Sequence, residues 1–127
     1  MDPIKIKGNR KTPYVVLNKQ EGIFSIKGKS VPVDSRKFYD PLLEWLNWYV
    51  SNANESSTLV FNLEYFNTGS SMMILAILLK FKEIEKQGKK ILIQWHSDEE
   101  DIRESGIDYE EATGIPFEHI GDIEDDF

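Results

Sequence analysis

Apolar and polar residues alternate along this chain in short runs, interrupted by longer stretches with helical spacing. Residues 13–18, with Tyr14, Val15, Val16 and Leu17, predict a strand, and Lys19-Gln20-Glu21-Gly22 a turn. Ile23, Phe24 and Ile26 continue in a second strand, so the pair reads as a hairpin. Gly28 and Pro32 then punctuate the path into a helix starting near Asp40-Pro41, with Asp40 as its cap and Pro41 in its first turn. Leu42, Trp45, Leu46, Tyr49 and Val50 recur on one helical face. Residues 58–66 form the next predicted strand, followed by the loop Asn67-Thr68-Gly69-Ser70-Ser71 and a second helix over 71–87 that stops at Gly88. Residues 90–96 predict a strand whose centre, Ile91-Leu92-Ile93, is apolar on both faces, as in a buried parallel strand. Asp98 opens a short acidic helix that stops near Gly106. Residues 109–113 add one more turn, and 116–120 an edge strand.

The predicted order is β-β-α-β-α-β-α-β. Strand–helix–strand repeats require a mostly parallel sheet with helical crossovers, and the opening hairpin makes that sheet mixed. The fold class is therefore α/β, a single-domain sandwich. Residues 1–11 read as a loose, polar N-terminal segment, 12–120 as the domain, and 121–127 as an acidic tail.

Composition narrows the function. The 127 residues carry a formal net charge of −7 and no cysteine. A negative chain without a basic, aromatic-interleaved surface is a poor partner for nucleic acid. Basic residues do gather at Lys5, Lys7, Arg10 and Lys11 and around Lys86, Lys89 and Lys90, and both groups read as solvated faces. Absence of cysteine excludes disulfides and thiolate metal sites and fits a reducing compartment. The N-terminus lacks the charged-then-apolar order of a signal peptide, and the longest apolar run, 72–79, falls short of a span of about 20 residues. A soluble, cytoplasmic protein without membrane insertion is the expectation.

The loop Asn67–Ser71 is the most informative chemistry. It joins the C-terminal end of a predicted central strand to a helix N-terminus, where ligands and reactive groups of open α/β sheets gather. A phosphoryl group on Thr68, Ser70 or Ser71 would meet free backbone N–H groups and the positive end of the helix dipole. Gly69 permits close approach of another molecule. A plainer reading makes Asn67 or one hydroxyl a helix cap, and the two readings are compatible. The following helix is apolar all round from Met72 to Leu79, so it is buried on most sides or meets a partner. Met72 and Met73, with Tyr65 and Phe66 on the strand side, are the candidate partner contacts. Charge added at Thr68 would then oppose docking.

No Gly-x-Ser-x-Gly elbow, phosphate-binding loop or His-Glu-x-x-His motif is present, so no catalytic residue is assigned. His96 and His119 are not at metal-binding spacing, and Asp98, Glu99, Glu100 and Asp101 read as a helix N-terminus rather than a cation loop. No metal or cofactor is expected. A small metal enzyme using His96 and the acidic run is the weakest alternative.

Thr12-Pro13, Gly28-Lys29-Ser30-Val31-Pro32, Phe38-Tyr39-Asp40-Pro41 with Trp45-Leu46, and Tyr65-Phe66-Asn67-Thr68-Gly69-Ser70-Ser71 occur in that order. This ordered set resembles the SiaC family of bacterial regulatory phosphoproteins over roughly residues 12–120. The resemblance implies a fold like the STAS-type anti-sigma-factor antagonists and a partner switch. A protein kinase would phosphorylate Thr68 and a PP2C-like phosphatase would remove the phosphate. The unmodified form would bind a diguanylate cyclase and promote cyclic di-GMP synthesis. An antagonist acting on another kinase or regulator is the alternative output. Gly69 stands where the family pattern has a serine, Met72 where a lysine is usual, and Val31 and Val33 replace Tyr and Glu. Thr68 itself is kept, and the lost lysine bears on kinase or cyclase contacts.

Overall fold

A computed structural model of the chain describes residues 1–121. Its elements are β1 (Ile4–Ile6), β2 (Tyr14–Asn18), β3 (Ile23–Ser30), α1 (Ser35–Val50), β4 (Ser56–Phe66), α2 (Thr68–Lys86), β5 (Lys90–His96), α3 (Glu100–Thr113) and β6 (Phe117–Ile120). The six strands form one sheet in chain order. β1, β2 and β3 pair antiparallel, and β3 through β6 pair parallel. The mixed, mostly parallel α/β sandwich expected from the pattern is present, with one strand more than the pattern showed.

That extra strand is β1, within the segment expected to be loose. Ile4 and Ile6 lie opposite Leu17 and Val15, and both pack against the core. The Trp45 indole N–H donates to the Asp2 carbonyl at 2.8 Å, pinning the segment to α1. Three residues among Lys5, Lys7, Arg10 and Lys11 give too short an alternation to stand out. The acidic tail beyond Gly121 lies outside the described residues.

Three boundaries differ from expectation. α1 begins at Ser35, not near Asp40, because Asp34 is the true cap and accepts from the Lys37 N–H at 3.1 Å; Pro41 lies inside the helix. α2 starts at Thr68, so the loop's hydroxyl residues belong to its first turn. α3 runs unbroken through Gly106 and ends at Gly114, whose φ of 70° is left-handed. Gly106 is a packing glycine rather than a stop, since a Cβ there would fall 2.5 Å from the Trp95 indole nitrogen.

The core lies on one face of the sheet. Leu17, Phe24, Ile26, Leu59, Phe61, Ile93 and Trp95 point into it with at most 1% exposure, and α1 and α2 close over them with Trp45, Tyr49, Ile77 and Phe81. Trp45 stacks on Tyr49 with ring centroids 5.4 Å apart, and Phe24 lies 4.9 Å from Tyr49. Each such side chain contributes roughly 1.5–3 kcal/mol by leaving water. Across the sheet, Val16, Ser25, Thr58, Val60, Leu92 and Gln94 are only half-buried. The cover expected over Leu92 is missing: among the described residues no helix packs on that side, so β5 is fully buried on one face only.

Candidate functional site

The parallel strands β3 and β4 end side by side, with Ser30 paired to Phe66, and each hands the chain to a helix N-terminus at the same edge. Ahead of that edge the β3–β4 register shifts between Gly28 and Lys29. The Gly28 φ of 108° suits glycine and redirects the end of β3 toward α1.

Asn67 caps α2. Its Oδ1 accepts from the Ser70 N–H at 2.9 Å, its backbone N–H donates to the Ser30 carbonyl at 3.0 Å, and its Nδ2 reaches the Pro32 carbonyl at 3.5 Å. The cap thus fastens the start of α2 to the segment leading into α1. Gly69 makes that contact close: a Cβ there would sit 2.8 Å from Ser35 Oγ, the first residue of α1.

The hydroxyls of this loop have unlike surroundings. Ser70 is fully buried; its Oγ donates to the Ser30 carbonyl at 2.9 Å and lies 2.8 Å from Ser30 Oγ. Ser30 Oγ is in turn 2.5 Å from the Tyr39 hydroxyl. A hydroxyl has one proton, so the Ser70 commitment orders the chain: Ser30 donates to Ser70, and Tyr39 donates to Ser30. Burial pushes the Tyr39 phenol above its ordinary range, partly offset by its serine contacts, and keeps it a neutral donor. Ser71 is half-buried and its Oγ donates to the Thr68 carbonyl at 2.6 Å. The Ser71 carbonyl accepts from the Tyr109 hydroxyl of α3 at 2.8 Å. Burial, with a smaller effect of nearby Tyr39, raises the Tyr109 phenol to about 12. Thr68 is exposed, at the first position of α2, and no hydrogen bond among the described residues engages its hydroxyl.

Of the four flanking candidates, Tyr65 and Met72 are exposed, at 57% and 63%. Phe66 is half-buried and meets Trp95 edge-on at 6.3 Å, and Met73 is partly buried against the core. Most of α2 turns inward through Ile74, Ile77, Leu78, Phe81 and Ile84. The two histidines take no part in this edge chemistry. His119 Nε2 lies 2.9 Å from Glu110 Oε1. Burial opposes the Glu110 charge, but hydrogen bonds from His119 and the Phe117 N–H hold its carboxyl below the ordinary range. Among the described residues no group of three His, Asp or Glu is placed to hold a metal. Sequence reasoning did not single out Ser30, Ser35, Tyr39 and Tyr109 as parts of this site. A signal was available for two of them, since Ser30 and Tyr39 fall within the ordered motifs Gly28–Pro32 and Phe38–Pro41.

A small α/β domain that offers a threonine at a helix start, on an edge braced from two neighbouring helices, has the build of a regulatory module. The chain belongs to the SiaC family of regulatory phosphoproteins, whose sequence profile it matches over residues 6–121. A Pseudomonas aeruginosa protein is 26% identical over 119 residues, covering 92% of this chain and 94% of that one. The structure of apo-SiaC from Pseudomonas aeruginosa is similar at a TM-score of 0.86 and 25% identity, over 94% of this chain and 99% of that one. The crystal structure of the diguanylate cyclase SiaD in complex with its activator SiaC, from the same organism, matches at a TM-score of 0.85 and 24% identity, again over 94% and 99%. Among the described residues no helix is long and apolar enough to cross a membrane.

Proposed function

We propose that this protein is a non-enzymatic switch, which in its unmodified form binds and activates a diguanylate cyclase and is released when Thr68 is phosphorylated. The observation that carries this reading is the contrast among the loop hydroxyls. Thr68 is exposed and unengaged, Ser70 is buried with its proton committed, and Ser71 is tied back to its own helix. A kinase needs a hydroxyl it can reach, and a PP2C-like phosphatase needs to reach the phosphate. Thr68 meets both needs as it stands, whereas Ser70 would have to leave its buried site and Ser71 to give up its bond to the Thr68 carbonyl.

A phosphate adds about 1.5–2 negative charges and three strong acceptors. At Thr68 it would sit beside exposed Tyr65 and Met72, so docking of an apolar partner surface there would have to desolvate it. Membership of the SiaC family and the likeness to a cyclase activator support the cyclase as the output.

The test is site-mapped mass spectrometry of protein purified from its own host, followed by cyclase assays with each form. Thr68→Ala is expected to keep its melting temperature, resist the kinase and leave the cyclase active. A phosphate mapped to Ser70 or Ser71, or a phospho-Thr68 form that activates equally well, would overturn the reading.

A further inference from the structure

The N-terminal basic residues, read from the sequence as a solvated face, acquire a different setting in the fold. A tight turn, in which Asn9 Oδ1 accepts from the Lys11 and Thr12 N–H groups at 2.7 and 2.9 Å, holds Lys11 in place. The Lys11 carbonyl then accepts from the Val31 N–H at 2.7 Å, laying this turn against the segment between β3 and α1. Between them runs an open groove of about 650 Å³. Exposed Val33 and half-buried Phe38 supply apolar surface over a buried Pro32, and Lys11 and Lys37 stand along it. Val33 is 93% exposed, a large apolar side chain left almost wholly in water. The Asp34 carboxylate also lines the groove, but it faces the helix start as the α1 cap.

We propose that this groove docks an acidic segment of a partner protein that inserts an apolar side chain between Lys11 and Lys37. Charge complementarity chooses the occupant. In a chain of net charge −7, the groove concentrates two lysines over apolar ground, with Arg10 next to Lys11 in sequence, while Arg36, next to Lys37, is paired with Asp40 at 3.9 Å. An acidic segment gains from the lysines, and its apolar residue covers Val33 and the open part of Phe38. A nucleic acid would gain the same charge contact, but the aromatic residue lining the groove, Phe38, is half-buried and offers a poor stacking face.

The groove is joined to the switch. Asn67 hydrogen-bonds to the Pro32 carbonyl, and Gly69 touches Ser35 one turn ahead of Phe38. A phosphate on Thr68, one residue from each, adds negative charge that repels an acidic segment, an effect that weakens as salt rises. The inference rests on the proposed switch for this last step only, and it explains why adding charge breaks the contact rather than making one.

Two probes separate the claims. The first is titration of the full chain with a labelled Asp-Glu-Leu-Glu-Asp peptide, watched by amide NMR shifts, with Asn-Gln-Leu-Gln-Asn as control. The acidic peptide is expected to shift the amides of Lys11, Val33 and Lys37, at least tenfold more tightly than the control. Binding should fall in salt and vanish in K11E/K37E, whose spectrum away from the groove is unchanged. Shifts elsewhere, equal binding of the control, or tighter displacement by a single-stranded oligonucleotide would overturn the docking claim. The second is binding of the diguanylate cyclase to parent and K11E/K37E. A parent that does not bind the cyclase counts against the proposed function while leaving the peptide result standing. A cyclase that binds both alike sinks the groove as its docking surface.

Discussion

At the scale of residues, the first turn of α2 is held from both sides by tyrosine hydroxyls. Tyr39 reaches it from α1 through Ser30 and Ser70, and Tyr109 reaches it from α3 through the Ser71 carbonyl. Each donor is useful only while neutral, which gives Tyr109 a pH signature. Its folded value of about 12 lies above the ordinary 10.0 of a tyrosine. A group whose folded value is raised gives stability that is complete below the unfolded value and lost as pH rises through the folded one. Tyr109 should therefore weaken the fold between about pH 10 and 12. Tyr109→Phe is expected to cost about 1 kcal/mol at neutral pH through the lost hydrogen bond and to show a shallower alkaline decline. Urea midpoints measured across that range for both proteins would check it; parallel declines would remove Tyr109 as the cause.

At the scale of elements, α3 shows how a single glycine sets a docking distance. Trp95 donates its indole N–H to the Ile102 carbonyl at 2.7 Å and lies flush with Gly106. Tyr109, one turn on, packs 5.5 Å from the same indole. Gly106→Ala would gain about 1 kcal/mol in helix propensity. It would also drive a methyl group into a buried ring that cannot move, and overpacking of this kind costs about 1–3 kcal/mol. The net expectation is destabilisation, with α3 shifted and the Tyr109 hydrogen bond lengthened. Calorimetry gives the sign, and a rise in melting temperature would show that α3 yields instead.

At the scale of the whole molecule, the sheet is completed by a strand that brings little area of its own. β1 contributes Ile4 and Ile6, both partly buried, and its backbone covers the edge of β2. Removing residues 1–7 is expected to cost about 2 kcal/mol from those two side chains and to leave β2 as an exposed edge. Equilibrium unfolding and a light-scattering measurement would report the two effects separately. Unchanged stability would mean that β1 only rests on the sheet.

These three scales were not equally legible in the sequence. Apolar spacing, β-forming runs and the Gly and Pro stops between them identified β2 through β6, the α/β class and the helices, with α3 read as two pieces around Gly106, because each of those segments is distinctive enough to register. β1 is too short to do so. The Asn67–Ser71 loop could be found from chain order alone, since a hydroxyl-rich link between strand and helix is a local pattern. The ordered motifs shared with the SiaC family carried the choice of Thr68 within it. What the sequence by itself could not decide was the difference between three neighbouring hydroxyls. That depends on Ser30, Tyr39 and Tyr109, brought to α2 from β3, α1 and α3. The groove beside the loop has the same origin, for Lys11 and Lys37 meet only when the N-terminal turn is laid against α1. Local periodicity determines elements because it acts through neighbours in the chain. Burial of one serine beside an exposed threonine is a property of packing between elements, and only the tertiary structure decides it.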